Sequence, residues 1–318
     1  MTTISDVASR AGVSTATVSR VLNGIGVRPD LAEAVRTAVH ELDYSPNRAA
    51  RSLRRQLGEV IALILPDIEN PYFTSLARGV EDVAQLHGYS VVLCNSDDDV
   101  AKESRYLKIA ISERMAGVII APAGATTSVS SLTTLRQSVV VVDRRIAEDV
   151  DHVIEDNDAL ARRGVDLLIA RGCTRIACIT GPECTVTARE RAAGWRAQML
   201  DHGLAAPAEL LVYANFRVDG GRAAIAQLLD LPEPPQAVLA TNNLVGVGAL
   251  QVLAGRRGAH SGIEIGILGE LPFATSSTSD ISIVPLHPRE MGLTAARLLI
   301  DRVNGVAGEH GQRVVLPV

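Results

Sequence analysis

The chain has 318 residues, too many for one compact core and enough for two or three domains at roughly 100 to 200 residues each. Hydrophobic residues make up 47% of it, which excludes a mainly disordered chain, and aromatic residues only 3%, so the core must be built from Ala, Val, Leu and Ile, a composition suited to buried parallel strands covered by helices. The net charge of −5 is uneven: residues 1–57 hold eight Arg against five acidic residues, +3, and the other 23 basic and 31 acidic residues give −8, a basic head on an acidic body.

Such a split suits a protein that touches phosphates with one end only. No apolar run reaches 18 residues, and Asp6, Arg10 and several Ser and Thr interrupt any leader-like segment, so the expectation is a cytoplasmic, nucleoid-associated protein with no membrane partner. Cys94, Cys173, Cys178 and Cys184 form no CxxC and have no His at ligand spacing, so free thiols are expected, with no metal site and no cofactor.

The first element is read from apolar spacing. Ile4, Val7, Ala8 and Ala11 fall at i, i+3, i+4 and i+7, Gly12 breaks the pattern, and Val18, Val21 and Leu22 resume it. Two short helices joined by a tight turn follow, with Ser14 as the cap of the second, whose outer face begins Thr15, Ala16, Thr17 and continues to Ser19 and Arg20. Small, polar and Arg side chains on a short second helix suit a major groove. Pro29 and Asp30 open a third helix whose Leu31, Val35, Val39 and Leu42 close over the first two, and 44–47 stops it. Residues 48–55 form a short basic segment around Leu53, too short to be a stable helix without a partner.

From Glu59 strand and helix alternate. Strands are expected at 60–65, 91–94, 118–121 and 139–142, with helices at 71–87, capped by Asn70, and near 101–114 and 129–137. A second series follows: helix 158–171, strand 176–180, helix 189–202, strand 210–213, helix 220–229, strand 237–241, helix 243–254 and strand 263–268. Strand 281–286 and helix 288–304 come last. The fold class is therefore α/β: an N-terminal all-α helix-turn-helix domain and two doubly wound parallel sheets in tandem, with a ligand cleft between them as the geometric default.

The opening motif, the Tyr44-Ser45-Pro46-Asn47 stop, Ala50-Arg51-Ser52-Leu53, Asn70-Pro71-Tyr72-Phe73 and Arg191-Ala192-Ala193-Gly194-Trp195 together resemble the lactose/galactose repressor (LacI) family of bacterial transcription regulators, over essentially the whole chain and in the same order. The resemblance implies a DNA-binding domain at 1–46, a hinge helix and linker at 47–57, and an effector-binding and dimerisation domain at 58–318 with a periplasmic-binding-protein-like body. Its first lobe would hold about 58–156 and 287–311 and its second about 157–286, with 312–318 a candidate return to the second. A homodimer or tetramer would bind a pseudo-palindromic operator in double-stranded DNA as a repressor, under control of a sugar or related metabolite held between the lobes.

By the same resemblance, Thr15, Ala16 and Arg20 match base-reading positions, and Ser14, Thr17, Ser19 and Asn23 match backbone-contacting ones. Arg20 either pairs with guanine O6 and N7 or contacts a phosphate. Arg28 adds a candidate phosphate contact, and Asn47, Arg48, Ala50 and Leu53 belong to the hinge contacts, Leu53 as a wedge in the minor groove. Asn70, Tyr72, Phe73, Asp143, Arg191, Phe216 and Asn242 are expected at the cleft, Arg191 because a guanidinium offers planar donors, while Tyr72 and Phe73 have ordinary helix packing as the alternative. The chain departs from the family at Asn242-Asn243, where Asn-Asp is usual, and at Ile267-Leu268-Gly269-Glu270, where an Asp that grips sugar hydroxyls is replaced, leaving Glu270 as the substitute.

Enzymatic readings find little support. Gly246 and Gly248 fall inside a helix without a third glycine, and GxxxxGK[ST], HExxH and GxSxG do not occur. A transport solute-binding protein would match residues 59–318 but not the basic head.

Overall fold

The computed structural model describes residues 4–22, 27–42, 58–255, 262–271, 281–308 and 310–318. Contacts divide the chain at Gly58 into two units.

The described residues of the first unit form three helices, α1 (Ile4–Ala11), α2 (Thr15–Leu22) and α3 (Pro29–Glu41). Gly12 adopts φ +67, a conformation that costs glycine nothing and lets the chain reverse between α1 and α2. Ser14 Oγ accepts from the Thr17 amide at 3.1 Å and caps α2 as its position demands. Val7, Ala8, Val18, Val35 and Ala38 form a small core, flanked by Ala11, Val13, Val21, Val39 and Leu42. Arg10 ties α1 to the end of α3 through Glu41 at 2.6 Å.

The second unit holds two parallel sheets. The elements of the first series are β1 (Val60–Leu65), α4 (Pro71–Leu86), β2 (Ser90–Asn95), α5 (Val100–Ser112), β3 (Gly117–Ile120), α6 (Ser130–Thr134), β4 (Ser138–Val142) and β5 (Asp151–Glu155). The second series runs α7 (Asn157–Ala170), β6 (Ile176–Thr180), α8 (Val186–Asp201), β7 (Leu211–Tyr213), α9 (Val218–Leu229), β8 (Ala237–Ala240), α10 (Asn243–Gly255), β9 (Glu264–Leu268) and β10 (Ile281–Val284). The chain then returns through α11 (Pro288–Val303) to β11 (Arg313–Leu316). Strand order is β11-β5-β4-β3-β1-β2 in one sheet and β10-β9-β8-β6-β7 in the other.

Apolar runs at β1, β3 and β4 are buried on both faces, as strands covered by helices must be. Asn70 caps α4 by accepting from the Tyr72 amide at 3.0 Å. Helices α4 and α11 pack at near backbone contact: a Cβ on Gly292 would lie 2.1 Å from the Leu76 carbonyl oxygen, and one on Gly79 2.2 Å from that of Arg289.

Three expectations change. Strand β5 has no apolar run in its Asp-His-Val-Ile-Glu sequence, yet it pairs with β4 on one side and β11 on the other. The segment near 129–137 holds only the five-residue α6. Residues 312–318 do not return to the second lobe: β11 pairs in register with β5, Val314 opposite Val153, and closes the first sheet. Pairing at an otherwise open edge beside β5 satisfies backbone groups that solvent would have to hold.

Candidate functional site

The site in the second unit forms where the strands of both sheets end. Chain crossings at 155–157 and 286–288 join the lobes, and the cleft between them has an empty volume of about 640 Å³, part of it open to solvent. Asn70, Tyr72, Phe73 and Asp143 line it from the first lobe, and Arg191, Phe216 and Asn242 from the second, so seven of the eight residues expected there meet at one place.

Each is held by its element. Tyr72 and Phe73 sit in the first turn of α4, with ring centroids 5.1 Å apart and edge-to-face. Phe73 belongs to the first-lobe core, while Tyr72 packs against the cores of both lobes, so the packing alternative and the cleft reading are both realised. The Tyr72 hydroxyl donates to Asp143 Oδ1 at 3.2 Å. Burial, with the negative charges of Glu155 and Asp143 added, pushes its pKa well above the usual tyrosine value, so it remains a neutral donor.

Asp143 follows β4 at φ +64, a strained conformation for a residue with a Cβ, of the kind that concentrates at binding sites. Its Oδ2 lies 3.4 Å from Arg144 Nε. Arg144 is buried and donates to Asp98 at 2.8 Å and to the Pro122 carbonyl at 2.9 Å.

Arg191, on α8 and 4% exposed, donates from Nε to Asn157 Oδ1 at 2.8 Å and from Nη1 to the Thr241 carbonyl at 2.6 Å. Both partners are neutral, and two of the five guanidinium donors are used in these bonds. Asn242 Oδ1 accepts from the Val245 amide at 2.8 Å and caps α10, while its Nδ2 donates to the Phe216 carbonyl at 3.3 Å. Acceptors thus face the cleft mainly from the first lobe and donors from the second.

Glu270 does not join them. Gly269, at φ +102, turns the chain after β9, and Glu270 lies exposed outside the cleft lining, which here carries apolar Leu286. Asn243 and seven residues not expected at the cleft complete the wall: Asp67, Asp98, Arg144, Pro182, Thr187, Asn215 and Arg217. Asp98 falls in an acidic run that reads as a solvated loop. Its neighbour Asp99 caps α5, and Asp97 pairs with Lys102 at 2.5 Å, which fixes Asp98 toward Arg144. Among the described residues two ion pairs span the lobes, Arg217 with Asp67 at 3.7 Å and Arg145 with Glu190.

In the first unit, Ser14, Thr15, Ala16 and Arg20 are exposed on or beside α2, and Thr17 is half-buried, bonded to the Ser14 hydroxyl at 2.9 Å. Arg28 is exposed but bidentate on Asp30, at 3.1 and 2.5 Å, which reduces its value as a phosphate contact. The Ser19 side chain and residues Asn23, Asn47, Arg48, Ala50 and Leu53 lie outside the described residues. Gly246 and Gly248 are packing positions: their Cα atoms face Ile267 and the Val218 carbonyl. Among the described residues no group of three or more His, Cys, Asp or Glu could hold a metal ion, and no helix is long and apolar enough to cross a membrane.

A helix-turn-helix unit joined in sequence to a two-lobed α/β body with a polar cleft defines a DNA-binding regulator that answers to a small molecule. Residues 3–47 match the bacterial regulatory proteins of the lacI family, and residues 58–318 match the periplasmic binding proteins and sugar binding domain of the LacI family. The chain belongs to the LacI family of transcription regulators, which are not enzymes. It is 35% identical over 309 residues to the ribose operon repressor of Halalkalibacterium halodurans, covering 95% of this chain and 91% of that one. A transcriptional regulator CelR–cellobiose complex superposes with a TM-score of 0.74 at 30% identity, over 99% of this chain and 97% of the other. The lac repressor dimer bound to operator and the anti-inducer ONPF shares the fold, with a TM-score of 0.82 at 23% identity over 99% and 96% of the two chains.

Proposed function

We propose that this regulator is a cytoplasmic homodimeric repressor that binds a pseudo-palindromic operator through paired α2 helices and releases or tightens it when a neutral sugar occupies the cleft. Within α2, Thr15, Ala16 and Arg20 read bases while Ser14, Thr17 and Ser19 hold the backbone, with Asn23 beyond the helix. Thr15 and Ala16 have little reach, so Arg20, the hinge residues Asn47, Arg48, Ala50 and Leu53, and DNA shape carry much of the half-site specificity. Leu53→Ala weakens operator binding and leaves the body folded.

The observation that carries the effector reading is that a carboxylate, Asp143, and a guanidinium, Arg191, line the same cleft from opposite lobes. Vicinal hydroxyls donate to a carboxylate and accept from a guanidinium, and the faces of Phe216 and Tyr72 suit the apolar side of a sugar ring. The likeness to a ribose operon repressor makes D-ribose the first candidate. A thermal-shift screen of pentoses, hexoses, disaccharides and sugar acids tests it: a raised melting temperature with D-ribose or another neutral sugar, lost in Arg191→Ala, supports the reading. Stabilisation by sugar acids alone contradicts it.

A further inference from the structure

Among the described residues one hydrogen bond ties the two chain crossings between the lobes to each other. The first runs from Glu155, the last residue of β5, to Asn157, the first of α7, and the second carries His287 into α11. The His287 amide donates to Glu155 Oε1 at 2.8 Å, across 132 residues of sequence. Glu155 is 5% exposed, and among the described residues its Oε2 has no hydrogen-bond partner, nor has Nδ1 of His287.

A buried carboxylate oxygen without a donor disfavours the ionised form. The groups acting on Glu155 lie on separate elements of both lobes. The His287 amide and the Arg191 charge on α8 favour ionisation, the Asp143 charge after β4 opposes it, and Tyr72 on α4 feels the same carboxylate. Burial outweighs the rest and pushes its pKa up to about 7.

We propose that Glu155 is a proton-operated clasp: protonated, it stabilises the arrangement in which the lobes meet across the cleft, and its ionisation loosens the two crossings. Opening the cleft lets water solvate Oε2, so the open arrangement holds the proton less tightly. Lobe closure and proton uptake are therefore linked. Glu155 is a positioning residue and touches no ligand. It reaches the cleft through Asn157, two residues on, which accepts from Arg191 at 2.8 Å and donates to Glu190 at 3.0 Å. That consequence for effector binding rests on the reading of the cleft given above.

Hydrogen–deuterium exchange of the full chain at about pH 6 and about pH 8.5, either side of the Glu155 pKa, with rates corrected for intrinsic exchange, tests the clasp directly. In peptides covering 153–158 and 284–290 the corrected exchange rises several-fold at the higher pH in the wild type. It is equal at the two pH values in Glu155→Gln, which keeps an acceptor for the His287 amide. His287→Gln retains the pH response, since the bond is made by its backbone. Equal corrected exchange at both pH values in the wild type overturns the proposal. So does a response that survives in Glu155→Gln, or one that vanishes in His287→Gln, which would make the histidine the sensor. If circular dichroism shows that Glu155→Gln does not fold, the wild-type and His287→Gln measurements decide. Calorimetric titration with D-ribose near pH 7, in two buffers of different ionisation enthalpy, reads the coupling to the cleft as proton uptake on binding. No binding refutes D-ribose as the effector and leaves the exchange result to judge the clasp, whereas binding without proton uptake overturns the clasp.

Discussion

Arg191 is fastened to Asn157, the first helical residue after the chain enters the second lobe, by a 2.8 Å bond from Nε to Oδ1. On the proposed reading of the cleft, the side chain that grips the ligand is thereby anchored at the crossing between lobes, and ligand contact and lobe angle share a mechanical connection. Arg191→Ala is expected to weaken effector binding by ten- to hundredfold, roughly 1.5–3 kcal/mol for hydrogen bonds to a charged group, while far-ultraviolet circular dichroism stays unchanged. Arg191→Lys is expected to recover little, because an ammonium cannot span Asn157, Thr241 and a ligand in one plane. Isothermal titration of the three proteins with the sugar found in the screen is the measurement.

Tyr72 lines the first-lobe side of the cleft with Asn70, Phe73 and Asp143. Removing its hydroxyl takes one donor from Asp143, which keeps Arg144, and opens no cavity, since Phe fills the same space. Tyr72→Phe is therefore expected to lower sugar affinity about five- to tenfold, near 1 kcal/mol, and to leave the melting temperature of the free protein within about two degrees. A large fall in that melting temperature would place the role of Tyr72 in lobe packing.

Asp151, at the start of β5, is 1% exposed and receives both Nε and Nη2 of Arg302 at 2.7 and 2.8 Å, with the Gln312 amide at 2.7 Å. That ion pair fastens α11 to β5 and to the entry of β11. Arg302→Ala leaves a buried carboxylate without its cation and is expected to cost about 3–5 kcal/mol in urea unfolding. The double variant with Asp151→Asn is expected to recover part of the loss, because the stranded charge is gone.

Gly292 gives α11 its close approach to α4. A methyl group 2.1 Å from the Leu76 carbonyl oxygen forces the helices apart, and Gly292→Ala is expected to destabilise the protein by about 1–3 kcal/mol despite the gain in helix propensity. Thermal unfolding of the variant decides between the two effects.

The alternation of apolar runs and amphipathic stretches made both sheets legible, since strands such as Val-Ile-Ala-Leu-Ile-Leu in β1 have no other stable home. Strand β5 escaped because Asp151, His152 and Glu155 carry tertiary roles: Asp151 pairs with Arg302, and Glu155 holds the crossing. The family resemblance, together with position in the strand order, placed seven cleft residues. It missed Asp98 and Arg144, whose ion pair joins residues 46 apart and leaves no periodic trace. Glu270 lies outside the cleft lining for a local reason: Gly269, at φ +102, turns the chain after β9 and leaves the next side chain exposed.

On the proposed function, a sugar in the cleft sets the affinity of the α2 helices for DNA. Operators selected from random duplexes by the full-length protein, then titrated by fluorescence anisotropy with and without the sugar that stabilises it, test this most directly. The expected result is a pseudo-palindromic selected site and an operator affinity shifted roughly 5- to 150-fold by the sugar, with the shift abolished in Arg191→Ala. A sugar that binds the cleft and leaves operator affinity unchanged would contradict it.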